Sequence, residues 1–486
     1  MSFLNYKNYY YLVFFLPIFF INNIWDGSII NYGFDINNLD GVKNWYWESS
    51  SNFQYYIIYS IYFLKKLSNL PSEFLFDTFT LIILYLFCLE ICKYFKKIFN
   101  FNSKFNKIFF VILITFPTWN FLTEFNLSLY LFCFYLAILG YNLFLDNLII
   151  KKIFGILLII LSFSIKSNFA LIAALSLINF VIDKRNYKQF IFILLICVFF
   201  YFINTLYFPP YGQYEGYNQL DFSNLKLLNY KVIFDYLSFV IFYFSIPIVL
   251  IIFSKIKNNK FIFFSNHNLF NYFSLILFSC VSLGPYYLLQ KSTDIFNFIN
   301  FDSRHVFSLA ISISLGLVFF IIIMRKFYSE KIIGYLIIII LIQNISILSS
   351  SFFAKYNWSL INNSMIKNFS KLEEPKPGNI LIVSEKNFNY DNTNYIFFKA
   401  FSKSTWNSKV IGKNEFNLKQ INNYFKSNEK TNKEEYKIKY SSKDYKYQCL
   451  TVFEIKKEIN SFDLIKNLYI FNKKKFFKIN KLTEFC

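Results

Sequence analysis

The feature that most constrains this chain is a series of eleven apolar stretches, roughly 8–24, 73–92, 108–122, 126–146, 153–166, 169–183, 189–206, 232–253, 269–290, 306–324 and 332–350, separated by loops with alternating charge. A hydrocarbon core of ~30 Å needs about 20 apolar helical residues, a length that several of these stretches reach. Those at 108–122, 153–166 and 169–183 are short and must tilt, pair tightly or thin the bilayer. The pattern reads as an all-α polytopic membrane bundle of about eleven transmembrane helices.

Charge then sets the orientation. If Lys7 and the N-terminus lie in the cytoplasm, so do the loops at 93–107, 147–152, 184–188, 254–268 and 325–331. Over the first 350 residues this places 17 Lys and Arg inside against 8 outside, and 4 Asp and Glu inside against 12 outside. The positive-inside rule favours that arrangement, N-terminus in and C-terminus out. The segment 52–64 (NFQYYIIYSIYFL) would rise only ~20 Å as a helix. Counting it as a span would place Lys93, Lys96, Lys97, Lys104 and Lys107 outside, so it reads as an interfacial helix on the external face.

Composition narrows the class further. At 55% apolar and 23% aromatic residues, the 486-residue chain is unlike both a soluble domain and a disordered one. The abundance of Phe, Tyr, Ile, Asn and Lys fits an AT-rich genome. A net charge of +21 raises the question of nucleic acid, but half of the basic residues lie in the membrane part and mostly face the cytoplasmic leaflet. Anionic headgroups account for those charges, and no nucleic-acid partner is expected. The first stretch has no A-x-A cleavage site and reads as a retained anchor. Cys88, Cys92, Cys133, Cys197 and Cys280 lie in apolar stretches as small hydrophobes, whereas Cys449 and Cys486 lie in the tail, where the sequence does not settle whether they pair.

The membrane part, 1–351, carries two large external loops, 25–72 and 207–231, both rich in aromatic residues, Gly and Asn. Aromatic rings stack on sugars and amides bind hydroxyls, although membrane-interface belts share that composition. Past Ser351 the polar content rises, and Pro375-Lys-Pro377-Gly378 marks a boundary. Strand-like runs at 379–383 (NILIV) and 450–455 (LTVFEI), with a helical segment near 418–425, predict a small α/β or α+β extracytoplasmic domain over 352–486.

Candidate chemistry gathers on the external side. Asp26 follows the first stretch directly in Ile24-Trp25-Asp26-Gly27, where a carboxylate can act as general base on a lipid-linked headgroup or can simply close an Asp-Gly turn. Asp35, Asp40 and Glu48 share its loop as candidates for a second acid or a ligand to a divalent metal. Of only three arginines, Arg304 alone faces out, next to His305 in Asp302-Ser303-Arg304-His305. Guanidinium holds phosphate bidentately and His can assist or shuttle a proton, the plainer reading being an interfacial Arg paired with Asp302. Lys166, between two short stretches, sits at a depth where ionisable groups carry function, or is an ordinary turn lysine. Together these offer a carboxylate and several cations beside a lipid phase, which suits transfer from a phosphate-linked lipid. P-loop, Rossmann, G-x-S-x-G and H-E-x-x-H motifs are absent from the sequence, as is a visible inverted repeat.

An acid directly after the first span, an interfacial helix in a long first external loop, about eleven spans and an external C-terminal domain together resemble the membrane-embedded C-type glycosyltransferases (GT-C). The resemblance implies transfer of a sugar from a polyprenyl-phosphate donor to a glycan or lipid acceptor with inversion. Asp26 would be the catalytic base, with Arg304, His305 and Lys166 holding the donor phosphate. In that family the acid often belongs to an adjacent acidic pair, which Gly27 breaks here, leaving metal use open. An O-antigen polymerase or ligase is one alternative; a non-catalytic lipid-binding or export component of the envelope is another. The expected location is a bacterial inner membrane, with the site facing the periplasm or exterior.

Overall fold

The computed structural model describes residues 9–21, 30–31, 33–34, 37, 39–215, 237–238, 241–245, 273–282, 307–326, 328–372, 378–384, 407–412, 449–457 and 477–485. They are mostly helical and fall into two compact units: Met1–Ile21 with Lys43–Ala354, and Asn22–Val42 with Lys355–Cys486.

The helices are α1 (Asp40–Glu48), α2 (Asn52–Ser68), α3 (Ser72–Phe99), α4 (Ser103–Ile114), α5 (Phe125–Phe144), α6 (Ile149–Ser162), α7 (Ser167–Ile182), α8 (Tyr187–Tyr207), α9 (Phe273–Ser282), α10 (Phe307–Met324) and α11 (Glu330–Phe369). Among the described residues, four helical segments are long and apolar enough to cross a membrane: Ser72–Phe99, Phe125–Phe144, Lys184–Tyr207 and Glu330–Tyr356. A fifth span results if α4 and the 3-10 helix Pro117–Thr123, bent by 50° at their junction, count as one.

Two expected spans take other forms. The stretch at 8–24 forms a 3-10 helix over Tyr9–Phe20 with Pro17 inside it, where an α-helical turn would lose a hydrogen bond. The stretch at 108–122 breaks at Phe116-Pro117. Phe116 is extended (φ −65°, ψ 135°), as a residue before proline must be, and α4 stops short of it. The segment at 52–64 forms a helix four residues longer, α2. Much of the stretches at 232–253 and 269–290 lies outside the described residues.

Asparagines terminate and start several elements. Asn69 and Asn100 take left-handed conformations (φ 55° and 51°) after α2 and α3, their N–H groups closing on the carbonyls of Lys65 and Lys96. Asn102 Oδ1 accepts from the Phe105 N–H at 2.9 Å and caps α4. These Asn residues therefore do structural work that an AT-rich composition would not by itself require.

Helix α5 is the most enclosed of the long helices, and α8 the least. Every residue from 109 to 129 is buried. On α6, Ile149, Ile150, Ile153, Phe154 and Leu157 are exposed, as are Ile191, Leu195, Phe199 and Phe202 on α8. Outward-facing apolar bands of that extent suit lipid and would be an aggregation liability in water. Helices α5 and α6 meet at Gly140 and Gly155. A Cβ at either position would lie 2.7 or 2.5 Å from the other's carbonyl oxygen, so only glycine permits this approach.

At the bend after α4, Val111 O and Leu113 O accept from the Thr115 and Phe116 N–H groups, and side chains add further donors. Trp119 Nε1 donates to Leu113 O at 2.5 Å, Asn344 Nδ2 to Ile112 O at 3.4 Å and Thr115 Oγ1 to Val111 O at 2.8 Å. Asn120 Nδ2 reaches Ser351 Oγ on α11 at 2.6 Å. Helix α11 runs on through Ser351 to Phe369, and the two compact units divide within it, at Ala354/Lys355.

In the second unit, β1 (Gly378–Ser384), β2 (Asn407–Gly412), β3 (Cys449–Lys457) and β4 (Phe477–Phe485) form one sheet in the order β2-β1-β3-β4. Strand β1 pairs parallel with β2 and β3, while β4 runs antiparallel to β3 with a bulge at Val452/Phe453. The runs at 379–383 and 450–455 lie in β1 and β3. The segment near 418–425 and Cys486 lie outside the described residues.

Candidate functional site

At one end of the helical bundle, the first large loop meets the second. Tyr211 N–H donates to Glu48 O at 3.0 Å, and Trp45 Nε1 donates to Tyr214 OH. Gly212 passes over the Glu48 side chain with φ +61°. A Cβ there would lie 3.0 Å from Glu48 Cδ, so the left-handed backbone and the close approach both favour glycine. One turn before the end of α1, Tyr46 OH donates to Asn126 Oδ1 at 2.8 Å, tying α1 to the start of α5.

The same end of α5 packs on α3. The Phe76 and Phe125 rings stack at 3.9 Å, and Thr80 Oγ1 donates to Ser128 Oγ at 2.7 Å. Asp77 lies on this buried side of α3 beside Phe76, at 5% exposure, while Glu124, immediately before α5, is fully buried. One turn further along α5, Cys133 Sγ lies 3.4 Å from Ser164 Oγ, with the Gln54 side chain of α2 against the same thiol.

Ser164 belongs to the turn between α6 and α7 that carries Lys166. Asn168 Nδ2 holds that turn through Ser162 O at 2.8 Å, and Asn204 Nδ2 through Phe163 O at 3.1 Å. Lys166 is half-buried, and none of the ion pairs among the described residues involves it. Burial holds its amine below the usual lysine range.

The opposite end of the bundle is basic. Lys97 Nζ donates to Leu145 O at 3.1 Å, Lys151 pairs with Asp146 at 2.8 Å, and Lys104 and Arg325 both reach Glu330. Cations and compensating carboxylates from three separate loops thus share one end.

Of the residues singled out from sequence, Lys166 and Glu48 lie at the aromatic end. Asp40 opens α1 and is exposed. Asp26, Asp35, Arg304 and His305 lie outside the described residues. No group of three or more His, Cys, Asp and Glu suited to a metal ion occurs among the described residues, so Asp40 and Glu48 belong to none there.

Sequence reasoning passed over Asp77 and Glu124. Their signals were present: a carboxyl inside an apolar stretch, and one between two such stretches just after a proline-broken segment. Ionisable groups at such positions carry function by default. Compared with known families, curated proteins and solved structures, the chain matches none.

Proposed function

We propose that this chain is an integral membrane glycosyltransferase that moves a sugar from a polyprenyl-phosphate donor to a glycan or lipid acceptor at the external face of a bacterial inner membrane. About eleven spans, N-terminus in and C-terminus out, would carry a small extracytoplasmic α/β domain over 352–486. The observation that carries this reading is the convergence of Trp45, Glu48 and the Tyr211–Tyr214 loop with the turn bearing half-buried Lys166 at one end of a membrane-length bundle, away from its basic loops. A half-buried amine that no carboxylate pairs with among the described residues suits a phosphate that arrives in lipid.

In this reading Asp26 takes the proton of an acceptor hydroxyl. The oxygen attacks the anomeric carbon, and the bond from that carbon to the phosphate oxygen breaks with inversion. The lipid phosphate leaves as an anion, stabilised by Arg304, His305 and Lys166. Asp35 and Asp40 are available to orient the acceptor or to hold a divalent ion, and Glu48 to orient the acceptor.

Mass spectrometry of lipid-linked and surface glycans tests the proposal in cells carrying the wild-type chain, Asp26→Asn or Arg304→Ala at matched membrane levels. Loss of one sugar with accumulation of its donor in both variants is expected. Loss with Arg304→Ala alone would favour a polymerase or ligase. Unchanged glycans in both would exclude the enzyme and leave a lipid-binding or export component.

A further inference from the structure

The surface where the two large loops meet has a chemistry of its own. Trp47 and Glu48, adjacent at the end of α1, are both partly exposed. The Trp47 ring is approached steeply by Tyr55 (5.5 Å between centroids, 82°) and Tyr56 (6.0 Å, 61°), and the Lys43 ammonium lies 5.4 Å from its centroid. The rings form a corner, not a closed stack, and Tyr56 and Tyr211 are 58% and 51% exposed. Among the described residues, no N–H or cation engages the Glu48 carboxylate, and the Trp47 indole N–H has no acceptor. Gly212 passes close to that side chain, since a Cβ there would lie 3.0 Å from Glu48 Cδ, and the Glu48 backbone carbonyl accepts from the Tyr211 N–H.

A partly exposed carboxylate that no cation engages among the described residues, beside an indole donor and exposed aromatic rings, can be matched to few ligands. Anionic lipid headgroups would be repelled by Glu48. A divalent cation would want more than one carboxylate, and no metal-binding group occurs among the described residues. A neutral sugar satisfies every part: its C–H face stacks on an aromatic ring, two of its hydroxyls donate to the carboxylate and a third accepts from the indole.

We infer that Trp47, Glu48 and Tyr211, with Tyr55 and Tyr56, form a carbohydrate-binding subsite that holds a sugar unit of a glycan acceptor from the aqueous side. Only the word acceptor rests on the transferase reading; sugar binding follows from the chemistry of the surface. The site thereby selects a glycan over a lipid as the substrate that receives the transferred sugar.

Saturation-transfer NMR on the full chain in lipid nanodiscs tests this with trisaccharides of gluco, galacto, manno and N-acetylglucosamine configuration. At least one is expected to give ring C–H signals that fall about tenfold or more in Trp47→Ala and Glu48→Gln and survive in Trp47→Phe. Absence of signal from all four, or signal indifferent to both losses, would overturn the inference. So would bromolipid quenching of tryptophan fluorescence that disappears in Trp47→Phe, because the indole would then sit in the bilayer. Transfer is assayed separately: sugar binding without transfer leaves the subsite standing and removes the transferase.

Discussion

Lys166 shows how much one side chain's meaning depends on its surroundings. As a letter between two apolar stretches it could be a turn lysine or a phosphate ligand. In the folded chain it is half-buried, unpaired among the described residues, and two positions from the Ser164–Cys133 contact. Because burial lowers its pKa, the proton leaves at a lower pH than from a free lysine, and attraction for phosphate fades earlier as pH rises. Binding of undecaprenyl phosphate to the wild-type chain is therefore expected to decline on the alkaline side. Lys166→Arg, always charged, should abolish that decline, and Lys166→Met should weaken binding about tenfold or more at neutral pH. Thermophoresis across a pH series reads all three. Equal affinity for wild type and Lys166→Met at every pH would remove Lys166 from the proposed phosphate site.

At the scale of elements, the decisive contacts are those that leave no room. Gly155→Ala would drive a methyl to 2.5 Å from Gly140 O and 2.7 Å from Phe144 N, backbone atoms that cannot swing aside. A loss of roughly 1–3 kcal/mol is expected, read as a lower unfolding midpoint in detergent. Gly334→Ala on α11 meets nothing within 4 Å and should stay within about 0.5 kcal/mol of wild type. Equal midpoints would mean that α5 and α6 do not pack through these glycines. At the break after α4, beside Pro117, side chains close the space as well, Trp119 Nε1 donating to Leu113 O and Asn344 Nδ2 to Ile112 O. The proline was legible in the sequence. The side chains around it, up to 232 positions away, were not.

For the whole molecule, the question is which end faces which compartment. The basic loops share one end, and the meeting point of the large loops lies at the other. The positive-inside rule assigns the first to the cytoplasm. With Cys449 and Cys486 replaced by Ser, Ser50→Cys in intact cells should react with a membrane-impermeant maleimide, and Lys151→Cys only after permeabilisation. The reverse pattern would invert the topology and place Lys166 and Glu48 in the cytoplasm, beyond reach of an external glycan. Apolar stretches made helices of membrane length readable from sequence. The 3-10 form of the first stretch, the bend in the third and the passage of α11 through Ser351 were not readable, because proline placement and packing against distant helices decided them.

What the sequence determined by itself was therefore one-dimensional: where the chain is apolar long enough for a bilayer, where charge alternates, and that Lys166 and Glu48 sit in segments able to face water. Those properties depend on neighbours within a turn or two, which sequence order preserves. Only the tertiary structure decided that Glu48 meets Gly212, that Tyr46 reaches Asn126, that Ser164 joins Cys133, and that Asp77 and Glu124 are buried carboxyls near the same helix ends. Those pairings join residues tens to hundreds of positions apart, and they depend on how helices pack, for which the sequence carries no local signal.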